Sequence, residues 1–230
     1  MLEKAMYRDT DSLPSQVMQV FREVGRGIAG LKLATGLRCV PGCGSCCESR
    51  HVEATVVEAL PLAREIYRRG EEEKILLAID EKDLRGDPVC VLYRSDPNRP
   101  GHGRCAYYEF RFLVCRLFGF AARRGKSGRL EFSPCKIIKQ EYPEAVSAID
   151  RFIGERLLPG RVEGFALSHV EGPALSKVEG LDIPVYQETF MRIAALEPAT
   201  GYLRYPVNLA IRKALERFYW KKTKPHMKSA

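Results

Sequence analysis

Residues 38–47, Arg-Cys-Val-Pro-Gly-Cys-Gly-Ser-Cys-Cys, constrain this chain more than any other stretch. Four of its eight cysteines, Cys39, Cys43, Cys46 and Cys47, fall in these ten positions. Pro41, Gly42, Gly44 and Ser45 fill the gaps. Glycine permits the positive φ of a tight loop and proline pre-sets a turn, so several sulfurs can be aimed at one point. That is what a soft metal ion or an iron–sulfur cluster requires.

The other cysteines, Cys90, Cys105, Cys115 and Cys135, are dispersed, so as ligands they come from separate elements. A compact ligand loop plus distant cysteines closes a site in three dimensions and couples metal binding to folding. The N-terminus has no apolar core of a secretory signal, and no run of eighteen apolar residues occurs, so a cytoplasmic protein without a membrane span is expected. In a reducing compartment eight cysteines point to metal ligands before disulfides. Zinc takes four sulfurs in a tetrahedron and an iron–sulfur cluster also takes four thiolates, so the metal stays open between an iron–sulfur cluster and zinc. The adjacent pair Cys46-Cys47 does not decide it, because neighbouring side chains diverge. No Cys-x2-Cys pair recurs later, which counts against a zinc ribbon. Cys39-x3-Cys43-x2-Cys46 has the spacing of a radical S-adenosylmethionine cluster loop. Ser45 stands at its usually aromatic position, however, and the strand–helix series of a partial barrel is missing.

The net charge of +8 is uneven: residues 101–140 and 201–230 each carry +7, and residues 141–200 carry −5. This is not the diffuse basicity of a dedicated nucleic-acid binder. Arg111 and Arg116 lie among the later cysteines. They are candidates to offset thiolate charge or donate towards sulfur, contacts that tune affinity and potential; the alternative for Arg111 is a surface pair with Glu109. His51 and His102 flank cysteine segments and are more often surface or hydrogen-bonded than ligating. No Gly-x-Ser-x-Gly, Walker or His-Glu-x-x-His motif is present.

The hydrophobic pattern predicts a helix over 11–35, with a break near Gly25, Gly27 and Gly30. A second helix over Val56–Arg69 is capped by Thr55 and ended by Gly70. A third opens at Glu71–Glu73, with Ile75, Leu76, Ile79 and Leu84 as its apolar face. Val89–Tyr93 and Arg104–Tyr108 read as strands of a hairpin with a long tip, with one of Tyr107 and Tyr108 in the core. The run from Phe110 to Phe120 fits helix or strand. Gly125–Gly128 is a turn before a short strand at 130–132. A helix from Ile137 to Leu158 is expected despite Pro143, and two more over 185–196 and 206–222. Val-Glu-Gly recurs at 162, 170 and 178, a period of eight that reads as a surface insertion.

The expected fold is α+β, mostly helical: a small metal-stabilised domain with a short β-hairpin element. Its parts are a cysteine-cluster domain over 1–160, the repeat insertion over 161–182 and a helical C-terminal extension with a basic tail over 183–230, packing on the same domain.

The order Cys39-Val-Pro-Gly-Cys43-Gly-Ser-Cys46-Cys47, Cys90-Val-Leu-Tyr, Gly103-Arg-Cys105-Ala-Tyr-Tyr108-Glu109-Phe-Arg111, Cys115-Arg116-Leu-Phe118, Cys135 resembles the CxxCxxCC cysteine-cluster family. This YkgJ-like group is described as zinc- or iron-chelating. The first gap has three residues where the family name has two, and Phe112 stands where the family usually has proline. The resemblance implies a bacterial or archaeal-type cytosolic metal binder and makes all eight cysteines candidate ligands, with an unidentified protein or redox partner. A related cluster in flagellin lysine methylases suggests, by analogy, a redox or methyl-transfer-linked role. The competing reading is a structural zinc adaptor without catalytic activity.

Overall fold

The computed structural model describes residues 13–156 and 183–223, so the eight-residue repeat lies outside the described residues. The chain is mostly helical with three small antiparallel strand pairs. It divides into two compact units. Among described residues the first unit takes 13–21, 42–115 and 191–223, and the second takes 22–41 and 116–190.

Helix α1, Leu13–Thr35, contributes to both units. It runs unbroken through Gly25, Gly27 and Gly30, where a break was expected. Each glycine costs about 1 kcal/mol in a helix interior. The stripe Val17, Val20, Phe21, Val24, Ile28 and Leu31 is buried and offsets that cost. Gly36, at φ +73°, ends the helix and donates its N–H to Lys32 O.

In the first unit, β1 (Glu53–Thr55) pairs antiparallel with β6 (Arg204–Pro206), Ala54 opposite Tyr205. Each strand runs straight into a helix: β1 into α2 (Val56–Arg69) and β6 into α8 (Val207–Thr223). One strand pair therefore fixes where both helices begin. Thr55 and Glu58 close a capping box at the start of α2, and Gly70 at φ +67° ends it. α2 and α8 pack on each other, and Ala59, Ala63, Ala210 and Ala214 are all buried in the shared core. Small residues four apart let helix axes approach closely. Leu60, Ile66, Ile211 and Leu215 fill the space around them.

α3 (Glu72–Leu84) buries Ile75 and Ile79, while Leu84 is exposed. Five residues past Ile79, Leu84 has turned off the apolar stripe. β2 (Tyr93–Ser95) and β3 (Gly103–Cys105) form the expected hairpin, but residues 89–92 are a turn, not strand. A 3₁₀ turn over Tyr108–Phe110 leads to the short helix α4 (Leu113–Leu117). Tyr107 is buried and Tyr108 exposed.

In the second unit, β4 (Ala122–Arg124) and β5 (Leu130–Phe132) pair across the Gly125–Gly128 turn. α5 (Lys136–Glu141) and α6 (Pro143–Arg156) replace the single helix expected over Ile137–Leu158. Pro143 has no N–H to donate and disfavours helix in the residue before it, so α5 stops and α6 starts there. Asp150 of α6 accepts the Phe132 N–H at 3.0 Å. α7 (Tyr186–Ala194) joins β4 through Gln187, which accepts the Arg124 N–H at 3.0 Å.

Candidate metal centre

The cysteine loop is laid against the hairpin by backbone bonds. Gly44 N–H donates to Gly101 O at 3.0 Å and Gly103 N–H to Gly42 O at 2.9 Å, which pairs Cys43 with His102. Cys47 and Glu48 N–H groups then both donate to Gly44 O, at 2.8 and 3.1 Å, and this turn carries Cys46 and Cys47. The Tyr93 ring takes the place of two missing side chains. A Cβ on Gly44 would lie 2.2 Å from the Tyr93 hydroxyl oxygen, and one on Gly103 would lie 2.4 Å from the ring. That hydroxyl stands 3.0 Å from both Glu48 Oε1 and the His102 carbonyl oxygen, and its one proton serves one of them at a time. Burial and the Glu48 carboxylate push the Tyr93 phenol up to about 12.

Three other segments bring one cysteine each. Cys90 sits in the 89–92 turn, its carbonyl accepting the Tyr93 N–H at 3.0 Å. Cys105 ends β3 directly opposite Tyr93. Cys115 lies in α4, which a buried carboxylate anchors: Glu58 Oε2 accepts the Leu113 N–H at 2.8 Å. Cys43, Cys46, Cys47, Cys90, Cys105 and Cys115 thus share the first unit.

These sulfurs act on one another. Cys46 Sγ and Cys47 Sγ are 3.9 Å apart. Donation from Cys47, with help from the Arg111 charge, holds the Cys46 thiol down to about 6. Cys47 moves the other way: its proton is tied to Cys46, and burial and the neighbouring Cys46, Cys115 and Cys105 disfavour a second thiolate. Burial pushes Cys90 up to about 12. Burial also raises Cys105 and Cys115; Cys46 adds to both, and Cys90 adds to Cys115. Arg111 pulls in the opposite direction on Cys46, Cys105 and Cys115. Its guanidinium lies 3.5 Å from the Tyr108 ring centre and its Nε donates to Tyr108 O at 3.0 Å.

Cys39 and Cys135 belong to the second unit. Cys39 is exposed, and Cys135 caps α5, its sulfur accepting the Ile138 N–H at 3.4 Å. Gly119, at φ +84°, sits where a Cβ would press on Ile138 at 2.8 Å. Arg116 lies in the second unit, His51 is exposed and His102 is half-buried against Gly42. None of the eight cysteines is joined in a disulfide.

Residues 38–142 match the model of the CxxCxxCC family, "Putative zinc- or iron-chelating domain". The match covers just under half of the chain. No curated protein and no solved structure matches the chain. The domain's zinc- or iron-chelating description agrees with the donor set, since clustered thiols are the ligands both metals share. As the side chains stand, no three His, Cys, Asp or Glu among the described residues are arranged to hold one ion. Cys46, Cys47, Cys90, Cys105 and Cys115 are near enough to shift one another's ionisation.

Several residues that shape the matched segment escape the cysteine pattern. Glu48 carries no motif, and Tyr93 stands in Cys90-Val-Leu-Tyr without any sign that it packs on Gly44 and Gly103. Glu58 closes the capping box Thr55-x-x-Glu58, but its bond to Leu113 spans 55 positions.

Proposed function

We propose that the first unit chelates zinc or iron through thiolates drawn from Cys43, Cys46, Cys47, Cys90, Cys105 and Cys115, with Arg111 offsetting their charge. The observation that carries this reading is that four separate segments deliver six cysteines, five of which, Cys46, Cys47, Cys90, Cys105 and Cys115, shift one another's ionisation. Thiols that resist ionising together are what a soft cation stabilises, because it supplies the positive charge the group lacks. Binding releases the protons held by Cys90, Cys105 and Cys115, so affinity falls as pH falls. A bound zinc ion cross-links four segments, and an iron–sulfur cluster adds an electron carrier.

The reading places the protein in a reducing compartment, the cytoplasm, where free thiols persist. An iron–sulfur cluster gives the chain a redox or methyl-transfer-linked role, served by a protein redox partner. Anaerobic purification with metal and sulfide analysis tests it. Iron with acid-labile sulfide supports the redox role; zinc without sulfide leaves chelation standing and removes the redox role. Protein that takes up neither metal contradicts the reading.

A further inference from the structure

Cys90 lies outside every helix and strand, just ahead of β2. What holds it comes from the far end of the chain. Asn208, in the first turn of α8, is 5% exposed. Its Oδ1 accepts the Val91 N–H at 2.8 Å and its Nδ2 donates to Val89 O at 3.1 Å. Those two groups belong to the peptide planes on either side of the Cys90 α-carbon. A carboxamide that grips both planes fixes φ and ψ of Cys90, and with them the direction of its Cα–Cβ bond, from which the thiol projects. Asn208 is itself held: Val207 N–H donates to Val52 O at 3.0 Å, and α8 packs along α2 through Ala210 and Ala214.

We propose that Asn208 is a positioning residue of the metal centre, setting the aim of Cys90 from outside the family-matched segment. The inference rests on the proposed chelating function and adds a residue to it. It assigns α8 a second task besides filling the core. Asparagine suits the task because one planar group offers a donor and an acceptor side by side. Aspartate keeps the acceptor for Val91 and loses the donor for Val89, whereas leucine loses both.

The test is a double-mutant cycle between Asn208→Leu and Cys90→Ser, read as zinc affinity by chelator competition in the full-length protein. Loss of a residue that orients a ligand costs about 10–100-fold in metal affinity. The expected result is a loss of that size for Asn208→Leu, a smaller loss for Asn208→Asp, and no further loss when Asn208→Leu is added to Cys90→Ser. Cobalt(II) loading gives a second readout: sulfur-to-cobalt absorption falls by the same step in Asn208→Leu and in Cys90→Ser. Unchanged affinity in Asn208→Leu, or an equal loss with and without Cys90, overturns the proposal while leaving chelation intact. Should Asn208→Leu not fold, the same cycle is run with Asn208→Asp and decides in the same way. Wild-type protein that binds none of zinc, cobalt and iron sinks the chelating function itself.

Discussion

Cys46 Sγ lies 3.9 Å from Cys47 Sγ, and the pair shares its protons unequally: Cys46 is held down to about 6 and Cys47 is driven up. In metal-free protein at pH 7, Cys46 is therefore largely thiolate while Cys47 keeps its proton. Iodoacetamide labelling followed from pH 4 to 9 by peptide mass spectrometry should give Cys46 a midpoint about 6. Cys47→Ala removes the donating S–H and should move that midpoint upward by at least one unit. A Cys46 midpoint near 8.5, the ordinary thiol value, contradicts the arrangement.

Arg111 acts on three thiols of the centre and is braced on Tyr108. Arg111→Leu removes that charge, raises the Cys46 midpoint and should weaken zinc binding about tenfold. Arg111→Lys keeps the charge but loses the planar stacking on Tyr108, so an intermediate affinity is expected. Equal affinity in all three proteins contradicts the electrostatic role.

Gly44→Ala places a methyl group 2.2 Å from the Tyr93 hydroxyl oxygen. Overpacking of this kind costs about 1–3 kcal/mol. Removing that oxygen with Tyr93→Phe should recover part of the loss, leaving the ring carbon at 2.9 Å as the remaining contact. Urea unfolding of the two single variants and the double variant measures the recovery. Strict additivity would show that the loop does not seat against Tyr93.

Glu58 accepts from Thr55 N–H at 3.3 Å and from Leu113 N–H at 2.8 Å, and it is buried. Glu58→Ala strands those donors, and the loss should be about 2 kcal/mol or more, at about 1–3 kcal/mol per buried unpaired group. Burial raises this carboxyl against the pull of its hydrogen bonds. A folded pKa above the unfolded one gives stability that is complete below the unfolded value, about 4.3, and lost as pH rises through the folded value. Stability of the wild type should thus fall as pH is raised above about 5, and Glu58→Ala should show less of that fall. Identical pH profiles would refute the linkage.

The eight-cysteine pattern was plain in the sequence, as were the cap at Thr55, the helix-ending Gly70 and the hairpin around Tyr93. These are signals carried within a few residues. What the sequence did not disclose depends on partners far along the chain. Residues 89–92 read as strand by composition, yet they turn because Asn208 binds them across 117 positions. The glycines of α1 suggested a break, but burial of Val24, Ile28 and Leu31 outweighs local propensity. The assignment of six cysteines to one unit and Cys39 and Cys135 to the other is set by tertiary packing, which spacing alone does not encode.

Chelation as proposed requires the six cysteines of the first unit to hold the ion. Differential alkylation under anaerobic conditions compares metal-loaded with chelator-stripped protein cysteine by cysteine. At least four of Cys43, Cys46, Cys47, Cys90, Cys105 and Cys115 should be slowed by metal. Protection confined to Cys39 and Cys135, or absent from all eight while metal is bound, would contradict it.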